Sequence, residues 1–398
     1  SSWNHYEGAF TVDTTANDLR FALLLPHKGK VYIDFVSMFP ENTFCGHKNG
    51  LREDVAGMLR DLRPDFVRWP GGCIVKGLTM DNRIKWKETI GDIVKRPGEY
   101  NLWGYRSTYG FGYHEFLQFC EDIDADGVFV CNAGMSCLFR NGDYWEEENR
   151  IDNLIQEALD AIEYALGDTT TVYGKRRAEN GHAAPFPLKY VEVGNENVGL
   201  RYVKNYNRFY KAIKEKYPQI EDVCALMFSP YIQEAEKIDI LDPHYYETAG
   251  WFYNNADVYD KLPDDIPYKI YVGEYAAIGR PSLYSSLAEA AYLTGVERNA
   301  DKVQMVSYAP LIENAAHGKD HLLVLKNDSV YGRTNYYVLK MFSENRPDVN
   351  LHTDLKPASP EPVFRTNGFI GLGTNNTEAQ FKDLKVIVNG EEIYTSGW

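Results

Sequence analysis

Two stretches decide the fold: Tyr190-Val191-Glu192-Val193-Gly194-Asn195-Glu196-Asn197 and Ile270-Tyr271-Val272-Gly273-Glu274-Tyr275. Each is a short apolar run that delivers a carboxylate at its end. Continuous apolar runs of this length suit strands buried on both faces of a parallel sheet. In a (β/α)8 barrel the chemistry sits at the C-terminal ends of the strands, so a glutamate closing such a run reads as catalytic. A single strand-end glutamate reads equally well as a solvated charge. The pair, with Asn195 beside one and Tyr275 beside the other, points to a site.

Working outward, helical patterns at 51–63, 113–123, 149–166, 202–216 and 285–298 alternate with apolar strands at 66–69, 127–132, 223–227, 238–244 and 303–308. With the two glutamate strands this is the βα repeat of a parallel sheet, seven strands long. An eight-stranded barrel needs one more, which should precede Phe66, and residues 40–66 hold no candidate for it. The expected fold class is therefore α/β, a (β/α)8 TIM-type barrel over residues 46–346 with its first strand missing, flanked by β-sandwich fragments. Residues 1–45 alternate at 8–12, 19–25 and 30–39, and read as the end of a carbohydrate-binding-like β-sandwich module with a linker. A Pro-rich connector (Pro347, Pro357, Pro360, Pro362) leads into alternation at 368–373 and 381–388, so residues 347–398 read as a partial C-terminal β module. On this reading the chain is truncated at both ends.

The chain has 398 residues, 44% hydrophobic and 25% charged, enough for a large core. Its net charge of -15 and isoelectric point near 5.1 argue against nucleic acid or an anionic membrane as partner, because the protein's own field repels phosphates. A neutral substrate suffers no such penalty. The 29 tyrosines and 7 tryptophans supply flat faces that stack on a sugar or simply pack. Six cysteines (Cys45, Cys73, Cys120, Cys131, Cys137, Cys224) lack CxxC spacing and read mostly as small buried hydrophobes. No apolar run is long enough to span a membrane, and the opening Ser1-Ser2-Trp3-Asn4 carries no basic-then-apolar signal. The compartment is not legible, a secreted or periplasmic location being favoured over a cytoplasmic one.

Two carboxyl groups facing each other are what breaking a glycosidic bond requires. One donates a proton to the leaving oxygen, and the other stabilises or attacks the anomeric carbon of an oxocarbenium-like transition state. No metal or organic cofactor is expected, since this hydrolysis needs only water and the carboxyls, and no His/Cys/Asp cluster has ligand spacing.

Taken in order, Arg68-Trp69-Pro70-Gly71-Gly72-Cys73, Trp103-Gly104-Tyr105, Gly194-Asn195-Glu196-Asn197, Asp242-Pro243-His244-Tyr245-Tyr246 and Val272-Gly273-Glu274-Tyr275-Ala276 resemble the α-L-arabinofuranosidases of glycoside hydrolase family 51, from about Val36 to Pro347. Related retaining barrels share single elements such as Gly-Asn-Glu, while the ordered set is specific. The resemblance implies that Glu196 is the acid/base at the end of strand four and Glu274 the nucleophile at the end of strand seven. It also implies that Asn195 donates to a furanose hydroxyl, that His244 and Tyr246 orient the glutamates, with the tyrosine hydroxyl donating to the nucleophile, and that Arg68 keeps Glu274 ionised. Cys73 either contacts the arabinose or packs as a small thiol. Trp103 either stacks at the pocket wall or packs in the core. His114, His182 and His317 read as surface or capping residues. Two departures stand out: the pocket glutamate that the family carries on its first strand is missing, and the loop 311–326 strays from the family pattern.

The implied activity is exo-acting release of terminal non-reducing α-L-arabinofuranosyl groups with retention, the partner being an arabinofuranosyl-containing oligo- or polysaccharide. Homo-oligomerisation stays open. Two alternatives remain at this point: another retaining barrel glycosidase, such as a β-xylosidase or endoglucanase, and a non-catalytic carbohydrate-binding protein.

Overall fold

A computed structural model describes residues 3–14, 20–227, 230–279, 281–317, 322–351, 385–388 and 391–395. The chain divides into two compact units, residues 1–348 and 349–398. The first is built on one eight-stranded sheet. Its strands are β1 (Phe66–Trp69), β2 (Asp126–Cys131), β3 (Leu188–Asn197), β4 (Glu221–Leu226), β5 (Ile240–Leu241), β6 (His244–Glu247), β7 (Lys269–Ala277) and β8 (Val303–Tyr308). The order is β1-β2-β3-β4-β5-β7-β8, with β6 also pairing β7, and every pairing is parallel. This is a curled α/β barrel sheet. The run at 238–244 resolves into two short strands because Pro243 has no N–H to give to the ladder.

No described strand lies between β1 and β8, so the sheet is open along that side. Inside the curl, Val128, Tyr190, Val223, Ile240, Tyr271 and Met305 form an apolar layer joined by Phe66, whose ring meets Tyr271 edge-on at 5.4 Å. That layer fills the floor and leaves the next inward positions, Arg68 and Glu192, to a polar layer above it. Outside, helices such as α1 (Tyr113–Asp122), α2 (Glu148–Leu166) and α3 (Gly199–Lys216) cover the sheet. In α2 the buried Ile151, Leu154, Ile155, Ala158 and Ile162 recur at the helical period, so one face supplies the contact.

The alternation read as strands within residues 1–45 forms no ladder among the described residues. Phe10, Val31, Tyr32 and Ile33 are exposed. Alternation predicts which face of a strand is apolar, but a strand without a pairing partner has nothing to hold it extended. In the second unit the described residues form one antiparallel hairpin, Lys385–Val388 with Glu391–Thr395. The alternation at 368–373 lies outside the described residues.

Candidate active site

Both glutamates singled out in the sequence sit at breaks in strand register. Between β3 and β4 the pairing jumps from Val193 opposite Cys224 to Asn197 opposite Leu226, so β3 carries extra residues just where Glu196 stands. Gly194 has φ +86° and Glu196 itself φ +46°, a left-handed turn of backbone that swings the Glu196 side chain toward the strand end. A Cβ on Gly194 would meet Asn197 Oδ1 at 2.2 Å, and that same oxygen accepts the Asn195 amide at 2.8 Å. Between β7 and β8, Val272 faces Val306 and Tyr275 faces Tyr308, which leaves one extra residue on β7 beside Glu274. Strict alternation would put Glu274 on the face opposite Tyr271, and the bulge turns it inward.

Arg68, on β1, is the hub beneath them. Its guanidinium grips Glu192 through Nε and Nη2, both at 2.6 Å, donates from Nη1 to Glu274 Oε1 at 2.9 Å and from Nη2 to Asn195 Oδ1 at 2.7 Å. Tyr246 donates its hydroxyl to the other Glu274 oxygen at 2.6 Å. His244 stands between the glutamates, with Nδ1 at 3.1 Å from Glu196 Oε1 and 3.7 Å from Glu274 Oε2. Its far nitrogen Nε2 meets Asp242 Oδ2 at 2.9 Å, and Asp242 Oδ1 accepts the Gly273 amide at 2.7 Å. Asp242 therefore ties the His244 ring to the backbone immediately before Glu274. Cys73 Sγ lies 3.7 Å from Glu196 Oε2, and Lys76 Nζ donates to the Glu196 carbonyl at 3.2 Å.

The electrostatics follow from that wiring. Burial pushes the Glu274 carboxyl up, but the His244 and Arg68 charges outweigh it, and together with the Tyr246 hydrogen bond they hold its pKa below the ordinary value. Burial opposes charge on His244 too. The Asp242 and Glu274 charges outweigh it and hold the His244 pKa well above the usual range. Burial raises Glu192 to about 7 against the pull of Arg68. Asn195 is fully buried, and its Nδ2 has no hydrogen-bond partner, a donor free for a ligand.

Oxygens of Glu196 and Glu274 and a His244 nitrogen all lie within 4.8 Å of one another, a cluster with metal-ligand character among the described residues.

The structure thus brings Arg68, Cys73, Asn195, Glu196, His244, Tyr246 and Glu274 together. Trp103 does not join them. It is half exposed, with Arg140 stacked 4.3 Å from its ring, and Arg140 in turn reaches Cys137, the neighbour of Cys73. Its half exposure sets aside the core reading. His114 is buried against Tyr164, with Nδ1 2.8 Å from the hydroxyl, and is a core residue, contrary to the surface or capping reading. Sequence reasoning missed Glu192, Asp242 and Cys137. Glu192 shares the inward parity of Tyr190 and was detectable from the period of two. Asp242 stood in a quoted motif without a role. Cys137 arrives on the loop after β2, which no local signal announces.

Residues 58–264 match the family model described as the alpha-L-arabinofuranosidase 1 domain, and residues 259–395 match the alpha-L-arabinofuranosidase C-terminal domain. The chain is 37% identical over 406 residues to alpha-L-arabinofuranosidase 2 of Arabidopsis thaliana, covering 98% of this chain and 59% of that protein. It is 34% identical over 407 residues to the extracellular exo-alpha-L-arabinofuranosidase of Streptomyces chartreusis, covering 96% and 49%. Among solved structures it resembles an arabinose-bound GH51 α-L-arabinofuranosidase, MgGH51, at 33% identity and a TM-score of 0.72, covering 77% of this chain and 51% of that one. The Thermotoga maritima α-L-arabinofuranosidase in its arabinose complex, at 22% identity and a TM-score of 0.60, shares the fold over 74% of this chain and 64% of that one. The chain spans about half to three-fifths of the length of these curated relatives. By its barrel, by the match of its domain model over more than half of its residues and by these relatives, the chain belongs to the α-L-arabinofuranosidase family, glycoside hydrolase family 51.

Proposed function

We propose that the chain carries the catalytic barrel of a retaining glycosidase that releases terminal non-reducing α-L-arabinofuranosyl groups from arabinose-containing oligo- or polysaccharides. The observation that carries this reading is the closeness of the Glu196 and Glu274 carboxylates, whose nearest oxygens lie within 4.8 Å. That spacing suits direct attack by a carboxylate, which needs about 5–5.5 Å, and leaves no room for the interposed water of an inverting enzyme at about 6.5–9.5 Å. Glu274, kept ionised by His244, Arg68 and Tyr246, attacks the anomeric carbon. Glu196 gives its proton to the departing oxygen and then takes one from water in the second displacement. The free Asn195 Nδ2 donates to a sugar hydroxyl, where a hydrogen bond strengthens as positive charge develops. The Cys73 thiol, beside Glu196, lines the same pocket.

The reading assigns the barrel to 46–346 and a partial C-terminal β module to 347–398, which the hairpin Lys385–Val388 with Glu391–Thr395 supports, while residues 1–45, without a ladder among the described residues, lend no support to a β-sandwich end. The unpaired edges of β1 and β8 offer a place where a further strand or a second copy adds.

The test is hydrolysis of 4-nitrophenyl α-L-arabinofuranoside, with the corresponding β-xyloside as control. Glu274→Ala and Glu196→Ala are each expected to lose roughly 10³-fold or more. Azide restores the Glu196 variant alone, giving an arabinosyl azide of retained configuration. Preference for the xyloside, or an azide product of inverted configuration, sinks the reading.

A further inference from the structure

Behind Glu196 lies a pair of sulfurs that the proposed hydrolysis does not need. Cys73, at the start of the short helix Gly72–Lys76, and Cys137, from the loop after β2, are 64 positions apart in the chain, yet their Sγ atoms stand 3.2 Å apart. Four of the six cysteines show nothing similar: Cys120, Cys131 and Cys224 are buried in helix or strand, Cys45 is exposed, and none has a sulfur within hydrogen-bonding distance among the described residues. Arg140 Nη1 reaches Cys137 Sγ at 3.2 Å, and the buried Lys76 is close enough to act on both sulfurs. Two cations around two thiols favour a thiolate. The hydrogen bond between the two sulfurs draws the Cys137 pKa down to about 6 against its burial, with Arg140 assisting, while the same bond and burial drive Cys73 upward.

We propose that Cys73 and Cys137 form a site of reversible oxidative modification that closes to a disulfide in the presence of a peroxide. Both sulfurs are free thiols in the structure. A disulfide needs its sulfurs about 2.05 Å apart, so closure asks for a movement of roughly 1.2 Å, within reach of side-chain rotation. The balance is simple: two thiols and one hydrogen peroxide give one S–S bond and two waters. The two electrons leave the sulfurs for the O–O bond, and the thiol protons end on the waters. Thiolate on one partner and a resolving thiol beside it are what this chemistry uses. Closure takes the Cys73 S–H from the side of Glu196 and draws Sγ away from Oε2, where it now stands at 3.7 Å. The disulfide thus alters the wall of the proposed sugar pocket. That consequence rests on the proposed function, whereas the cross-link itself does not.

The experiment exposes the full chain, reduced and desalted, to increasing hydrogen peroxide, and reads intact mass and non-reducing peptide maps. A loss of 2 Da is expected, carried by one cross-linked peptide pair containing Cys73 and Cys137 and reversed by dithiothreitol. Cys137→Ser, with its folding checked by thermal melting, loses no 2 Da under the same treatment. Cys45→Ser behaves as the parent. No mass loss in the parent, a cross-link between other cysteines, or a 2 Da loss that persists in Cys137→Ser overturns the site. In parallel, arabinofuranoside hydrolysis by the parent is expected to fall at least tenfold in step with the cross-link and to return on reduction, while Cys137→Ser keeps its own rate throughout. A complete cross-link with unchanged hydrolysis overturns the effect on the pocket. Absence of hydrolysis before any peroxide is added would count against the proposed function and leave the mass result standing as the test of the site.

Discussion

Glu274 is the residue on which the site's charge balance turns. Three groups keep it ionised, and the Tyr246 hydroxyl at 2.6 Å is the one that can be removed without leaving a buried charge unpaired. Tyr246→Phe should raise the Glu274 pKa, because the ionised form loses a donor. Loss of a hydrogen bond to a charged group is worth about one pH unit. The nucleophile works only when deprotonated, so the acid limb of kcat/KM should move to higher pH by that amount, which a pH profile on an aryl arabinofuranoside measures. An unmoved acid limb would show that the tyrosine does not act on Glu274. A second prediction concerns Asp222 on β4, which is fully buried. Neither of its oxygens closes a hydrogen bond, although the Tyr206 hydroxyl faces them, and burial holds its pKa well above the carboxylate range. The sign follows from linkage. Unfolded chains ionise this group above about pH 4, while the folded protein must keep it protonated, so stability is lost as pH rises from there toward the raised value. Asp222→Asn removes that loss. Its melting temperature should exceed the parent's by a few degrees at pH 7 and converge with it near pH 4. Equal melting curves at pH 7 would mean that Asp222 is paired in solution.

At the scale of elements, the site is made by strand irregularities rather than by regular strands. The inward parity of β7 runs through Tyr271 and Gly273, and only the bulge against β8 turns Glu274 the same way. Gly273 has to be a glycine, because an added Cβ would stand 2.3 Å from Asp242 Oδ1. Gly273→Ala must push Asp242 aside and with it the His244 ring. The expected cost is about 1–3 kcal/mol in stability, with a larger fall in kcat than rise in KM, since the displaced group orients the glutamates instead of gripping sugar. Urea melts and steady-state kinetics check both parts. A variant with parental kcat would show that the Asp242 tie is dispensable. Much of this level was legible in advance. The helices at 149–166 and 285–298 and the strands at 66–69 and 303–308 follow from apolar period and flanking turn residues, and they stand where they were read. Residues 1–45 were not legible in the same way, since alternation cannot tell whether a partner strand exists.

For the molecule as a whole, the net charge of -15 sets what approaches it. A neutral glycoside feels little of that field, so kcat/KM on an aryl arabinofuranoside should change less than about twofold between low salt and roughly 0.5 M NaCl. A steep salt dependence with this neutral substrate would show that the protein's charge acts on the site itself and not only on what approaches it. The sequence by itself determined the βα alternation, the two strand-end glutamates and, through motifs in fixed order, the family. These are local or ordered along the chain, and local period and spacing are what a sequence records. The tertiary structure alone decided that Glu192 shares Arg68 with Glu274, that Asp242 holds the His244 ring, that Trp103 is half exposed beneath Arg140, and that Cys73 meets Cys137 across 64 positions. The physical reason is that curling a parallel sheet superposes the ends of strands far apart in sequence, and two local register breaks, two extra residues at Glu196 and one at Glu274, set which way the decisive side chains face.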